Sequence, residues 1–248
     1  MDQNQAVGKR PALVTMRIPG VWSGPEDFLG RLAVEHRCDG EKFWLADGTE
    51  FEFDPLPADK QFGEVFASSC SKLPTEDERQ RIENYTVNIC LTGPGGSVTA
   101  AKKLMAGAAA IMDAGGAGVF IDNSGLSHGA SDWRTLLEGA DQGGVYWAFV
   151  NTVRNEQEIY SVGMQILGFR DAVLPRIENE AYAHQALHSF LGFTAFSGSA
   201  VKDSETFTDP ILPTLQAFHQ PHDRFEADCP MHNPYGQWRL VKVGVEQN

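Results

Sequence analysis

Three clusters in this sequence combine residue types and spacings that could do chemistry. The first is Gly93-Pro94-Gly95-Gly96-Ser97, which follows a strand-like run and opens a helix-like one. Glycines at a helix start let backbone N–H groups converge on an anion, and the helix dipole adds to the attraction. Gly95, Gly96 and Ser97 are therefore candidates for ligand binding, with Lys102 and Lys103 adding positive charge in the second turn. The pattern is not a P-loop, because no lysine follows the glycines. Nor is it a dinucleotide fingerprint, because Val98 stands where a third glycine would be. A tight strand-to-helix turn capped by Ser97 explains the same residues without a ligand.

The second cluster is Asp122-Asn123-Ser124-Gly125-Leu126-Ser127-His128, with Asp132 and Trp133 beyond it. It follows a strand that comes after the glycine-rich turn and its helix. If strands 85–92 and 117–121 are parallel neighbours, the two polar segments line one crevice, the usual ligand position in such units. Asp122, Asn123, Ser124 and His128 are the candidates there. Ser124 or Ser127 with His128 as base would make a nucleophile pair. There is no G-x-S-x-G elbow to support one. Hydrogen bonds that order the loop account for the same residues.

The third cluster is His219-x-x-His222, then Cys229-x-x-His232. These are candidate metal ligands by type, but the usual zinc order of cysteines followed by histidines is absent. Exposed or hydrogen-bonded histidines on a C-terminal hairpin are the plainer reading, so no metal is expected. His184 and His188 stand four apart on a predicted helix and share a face. They lack the glutamate of H-E-x-x-H, which favours a solvated or half-buried face. No cofactor is named by any of these patterns.

The elements that must hold these clusters are legible in outline. Leu13–Ile18 predicts a strand ended by Pro19-Gly20, and Ser23-Gly24-Pro25 a helix start with Ser23 as cap. Lys42–Ala46 and Glu50–Asp54 predict a hairpin around Asp47-Gly48, as a type I′ turn ended by Pro55 and Pro57. Thr75 and Glu78 form a capping box. Val87, Ile89 and Leu91 alternate as a strand should, and a helix of about 17 residues follows Ser97. Residues 122–130 and 197–214 read as loops. Val145–Val153 is an unbroken apolar run that reads as a central strand, with Tyr146, Trp147 and Phe149 as core. Ile159–Leu167 predicts a strand interrupted at Gly163, and Glu178–Leu191 a helix. Ala217–Phe225 and Trp238–Val243 predict the last strands.

The expected fold class is α+β, a mixed and mainly antiparallel sheet with helices largely on one face. The repeated order of strands and helices suggests two ferredoxin-like halves. Residues 1–10 are expected to be disordered and 11–248 to form a single domain, with a sub-domain boundary placed near 72–84. The 248 residues carry a net charge of −13, which argues against nucleic acid and anionic membrane surfaces. No apolar run spans a bilayer, and Met1–Arg10 has no signal-peptide core. The four scattered cysteines, Cys38, Cys70, Cys90 and Cys229, fit a reducing cytoplasm.

Segments LTGPGGSVTAAKKLMAGAAAIMDAGGAGVFIDNSGLSHGASDW, GGVYWAFVNTV and EIYSVGMQILGFRDAVLP together resemble the DUF4261 domain family, over residues 85–245. The resemblance implies a bacterial intracellular α+β domain of unknown activity and carries over no catalytic residue. The functional expectation is a ligand- or protein-binding module, its partner a protein or a small anionic ligand. The alternative is a hydrolase or transferase on a small anionic substrate, with His128 as base or acid and the Gly95–Ser97 turn holding the anion. The sequence leaves the oligomeric state open.

Overall fold

The computed structural model describes residues 12–175, 180–197, 199–209 and 214–243. The expectation for residues 1–10 lies outside them. The chain runs β1 (Leu13–Gly20), α1 (Pro25–Arg31), β2 (Arg37–Cys38), β3 (Lys42–Trp44), β4 (Glu50–Pro57), α2 (Phe62–Ser68), α3 (Glu76–Glu83), β5 (Val87–Pro94) and α4 (Val98–Asp113). Next come β6 (Gly118–Ile121), β7 (Leu126–Gly129), α5 (Ala130–Glu138), α6 (Gly144–Phe149), β8 (Asn151–Arg154) and β9 (Glu158–Val162). Last are α7 (Met164–Leu167), β10 (Asp171–Pro175), α8 (Glu180–Phe196), β11 (Glu205–Phe207), β12 (Leu215–Gln220) and β13 (Gln237–Lys242).

The architecture is α+β, with the strands in two sheets. Sheet A, in the order β2-β3-β4-β5-β1-β6-β7, is antiparallel throughout. Sheet B, in the order β11-β12-β13-β10-β9-β8, is antiparallel except where β10 runs parallel to β13. Strands β5 and β6 are not neighbours, contrary to the expectation. Both pair with β1, which is inserted between them, so β5–α4–β6 is a split βαβ unit. Their C-terminal ends still share one sheet edge, because both run antiparallel to the same strand.

Helix α4 is the centre of the molecule. Ser97 caps it by accepting a hydrogen bond from Ala100 N, and its residues are buried on most sides. Trp133 of α5 donates its indole N–H to Met105 O of α4 at 3.1 Å, which satisfies the one polar atom of a fully buried ring. Apolar residues of both sheets and of α4, α6 and α8 form one continuous core. A smaller cluster of Phe62, Phe66, Ile82, Tyr85 and Ala117 packs against Phe120, which alternates out of phase with Val119 and Ile121. The polar stretch 72–84 is tied to its neighbours. Glu78 completes the expected capping box with Thr75 and also accepts from Ser131 N, while Arg81 donates to Gly115 O and Gly116 O.

Several local expectations need correction. Residues 145–149 are helical, and only 151–154 extend as a strand, at the edge of sheet B. A short helix buried almost all round has the same unbroken apolar run as a buried strand. The hairpin turn is not type I′, since only Gly48 has a positive φ (+82°). Gly48 N donates to Leu45 O and Leu45 N to Thr49 O, a three-residue loop with a bulge. β1 ends at Gly20, with Pro19-Gly20 as its last two residues rather than beyond it, and Pro55 and Pro57 lie within β4. Those two prolines sit past the end of β3, which pairs only to Glu52, so no neighbour there requires their N–H. Ser23 binds Asp27 rather than capping α1. The expected loops contain β7 and β11.

Candidate functional site

The glycine-rich turn and the Asp122–His128 segment meet at the shared sheet edge, as far as Asn123. Gly95 N donates to Ala12 O at 2.7 Å and Gly96 N to Ile166 O at 2.9 Å. Asp122 forms a bidentate pair with Arg17, Nε to Oδ1 at 2.8 Å and Nη2 to Oδ2 at 2.9 Å. That carboxylate raises the guanidinium pKa further. Asn123 is buried and behaves as a three-way connector. Its Oδ1 accepts from Thr15 N at 3.0 Å, and its Nδ2 donates to Leu13 O at 2.9 Å and Pro230 O at 3.0 Å.

The place between them is occupied by the chain itself. The short α7 turn, flanked by Gly163 and Gly168, enters from sheet B. Ile166 O accepts the Gly96 N–H, and Gln165 Nε2 donates to Asn123 O at 3.2 Å. A Cβ on Gly168 would stand 2.4 Å from Gly96 O, so the two glycine turns approach backbone to backbone. The N–H groups proposed to hold an anion are thus spent, at Gly95 and Gly96, on other segments of the protein. Ser97 Oγ serves the helix cap.

His128 lies apart from this edge, within β7 opposite Val119, and is 1% exposed. Its Nδ1 contacts Asp132 Oδ2 at 2.9 Å and its Nε2 contacts Ala148 O at 3.1 Å, so both nitrogens are engaged. Its contact with Asp132, outweighing burial, holds that carboxyl below the usual range. Ser127, the next residue on the strand, faces the other way. Its hydroxyl donates to Phe66 O at 2.6 Å and lies 3.1 Å from Cys70 Sγ. Strand alternation alone separates the serine from the histidine. Ser124 is buried and its backbone oxygen accepts from Asn151 Nδ2.

The C-terminal histidines divide. His222 and His232 are neighbours, ring centroids 5.5 Å apart, whereas His219 packs on Trp238. His222 Nδ1 accepts from Asn233 N at 3.0 Å, and burial pushes its pKa down to about 4. His232 Nδ1 donates to Phe225 O, and Cys229 is a half-buried free thiol. Among the described residues, no three His, Cys, Asp or Glu side chains converge as metal ligands would.

An open cavity elsewhere was not anticipated from sequence. It has a volume of about 270 Å³ and lies over sheet A between α1 and the turn after β2. Trp22, Phe28 and Leu29 form one wall, Phe53, Pro55, Val87 and Ile89 the floor, and Cys38 to Gly40 the rim. The wall is rigid. Trp22 donates its indole N–H to Ala114 O at 2.8 Å and meets Phe28 edge-on at 5.5 Å, and Phe28 stacks on Phe53 at 5.5 Å. Asp39 is the one charged residue among the described residues of the lining. The backbone N–H groups of Glu41 and Lys42 hold its carboxyl below the usual range. Burial pushes the Cys38 thiol up, so it remains protonated at neutral pH. The apolar alternation of β4 and β5 was the available signal, but nothing local says that α1 leaves part of that face uncovered.

No family model, curated protein or solved structure matches the chain. Among the described residues, no helix is long and apolar enough to cross a membrane.

Proposed function

We propose that the protein is a binding module and that the apolar cavity over sheet A is its ligand site. The observation that carries this reading is an aromatic-walled, solvent-open hollow of about 270 Å³ with a single charged side chain among the described residues of its lining. A cavity of ~150 Å³ takes a benzene molecule, so this one accommodates about ten heavy atoms. The ligand is small and largely apolar, neutral or cationic, since Asp39 is a carboxylate at the rim. Burying ~200 Å² of apolar ligand surface contributes about 5 kcal/mol, which corresponds to binding in roughly the 0.1–1 mM range.

The hydrolase or transferase alternative is weaker. A general base needs a free nitrogen facing substrate, and both nitrogens of His128 face protein acceptors. The resemblance of residues 85–245 to the DUF4261 domain family belongs to the same proposal, together with the bacterial, cytoplasmic setting that it implies. It is compatible with a non-catalytic role.

Ligand-observed NMR with indole and cyclohexanol tests the site. Both should give saturation-transfer signals with the native protein and lose them in Val87→Phe, whose ring fills the floor. Equal signals from the two proteins, or none from the native one, would sink the assignment.

A further inference from the structure

Outside the cavity and the sheet edge, α8 carries a second arrangement with chemical content. His184 and His188 stand one turn apart, and their Nε2 atoms face each other at 3.3 Å. Thr152 Oγ1 of β8 lies 3.0 Å from the same His184 Nε2. On the inner side, Tyr146 Oη of α6 contacts His188 Nδ1 at 2.7 Å. The Trp147 ring lies against the His188 ring, centroids 4.8 Å apart. His184 is exposed and His188 half-buried, so the gap between the two nitrogens opens to solvent.

We propose that His184 Nε2 and His188 Nε2 form a two-imidazole site for a divalent transition-metal ion of the zinc class. The spacing fits. Two Zn–N bonds of about 2.0–2.1 Å at a tetrahedral angle hold their nitrogens about 3.3 Å apart. The Thr152 hydroxyl stands beside the pair, where it, or a water bonded to it, takes a third position. Imidazole suits Zn²⁺, Ni²⁺ and Cu²⁺, and excludes the hard oxygen-seeking ions.

The tautomer is also prepared. A histidine that ligates through Nε2 carries its proton on Nδ1 and donates it to a partner that fixes the ring. For His188 that partner is the buried Tyr146 oxygen. Among the described residues two nitrogens and one hydroxyl stand at the site, a partial set of the kind that an exchangeable site uses and a closed structural zinc site does not.

Isothermal titration of ZnCl₂ into the tag-free, EDTA-treated and desalted protein at pH 7.5 decides it. The native protein should bind one equivalent. His184→Gln and His188→Gln should each weaken binding at least tenfold, and Tyr146→Phe about tenfold, the usual effect of removing an outer partner. His232→Gln should bind like the native protein. His184 is exposed, so His184→Gln remains informative if the His188 variant misfolds. No saturable binding by the native protein overturns the proposal. So does native affinity in His184→Gln, or loss of binding in His232→Gln alone.

Discussion

Asp171 is buried at the start of β10, 1% exposed. Its Oδ1 accepts from Ser161 Oγ at 2.8 Å and Met164 N at 3.4 Å, and its Oδ2 from Asn233 Nδ2 at 2.6 Å. Burial outweighs these donors and pushes the carboxyl from 3.8 up to about 7. Between those pH values the native state holds a proton that the unfolded chain has lost. The native state binds more protons there, so stability falls as pH rises through the window. The contribution is full below about pH 4 and gone above about pH 7. At about 1.4 kcal/mol per pH unit the gap is worth ~4 kcal/mol at most.

Two histidines act in the opposite direction. Burial pushes His188 and His222 down to about 4, while unfolded rings titrate near 6.5. Their contribution is present above pH 6.5 and lost as pH falls toward 4. The net pH profile of the native protein therefore conceals the aspartate, and Asp171→Asn separates it. That substitution sets an amide N–H₂ against donors, a cost that does not vary with pH. Urea unfolding followed by tryptophan fluorescence from pH 4.5 to 8 measures both proteins. The stability of the native protein relative to the variant should fall by ~2–4 kcal/mol across that range. A difference that stays flat with pH refutes the buried-proton argument.

Gly168→Ala should destabilise by about 2–4 kcal/mol, because it adds a Cβ at φ +88° within 2.4 Å of Gly96 O. Calorimetry should show a Tm lower by roughly 5–15 °C, and an unchanged Tm would mean that the two glycine turns do not touch as described. Glu78→Ala should cost about 2–3 kcal/mol, since Thr75 N and Ser131 N both lose their acceptor. Hydrogen exchange should speed at those two amides, and retained protection at Ser131 would contradict the α3–α5 link.

Elements governed by local rules were legible in the sequence. Ser97 caps α4, Thr75 and Glu78 make their box, and β5 forms where Val87, Ile89 and Leu91 predict a strand, although Asn88 and Cys90 on its other face are buried as well. The site was not legible, for physical reasons that can be named. Asp122–His128 is polar enough to read as a loop, yet its Asn123 and Ser127 are buried because partners far along the chain satisfy them. The segment that fills the expected crevice, around Gln165, is linked to it by contacts across forty or more residues, which no local pattern encodes. The cavity is of the same kind, being assembled from residues near 22–29, 38–40, 53–55 and 87–89. Helix α6 was misread because all its residues but the exposed Trp147 are buried, and an unbroken apolar run erases the periodicity that distinguishes helix from strand.

The position of β13 bears on how the chain reaches this structure during synthesis. β10 acquires β9 as soon as both have emerged, since the two are adjacent in sequence apart from the α7 turn. Its other edge remains an open template until residues 237–242 are made and lie down beside it. Asn233 and Pro230, which bond to Asp171 and Asn123, arrive just as late. A nascent chain that ends before residue 230 therefore exposes the unpaired edge of Asp171–Val173 and an unclosed interface, features that favour self-association. Closure then depends on contacts more than sixty residues apart in sequence, and contacts of such separation slow folding.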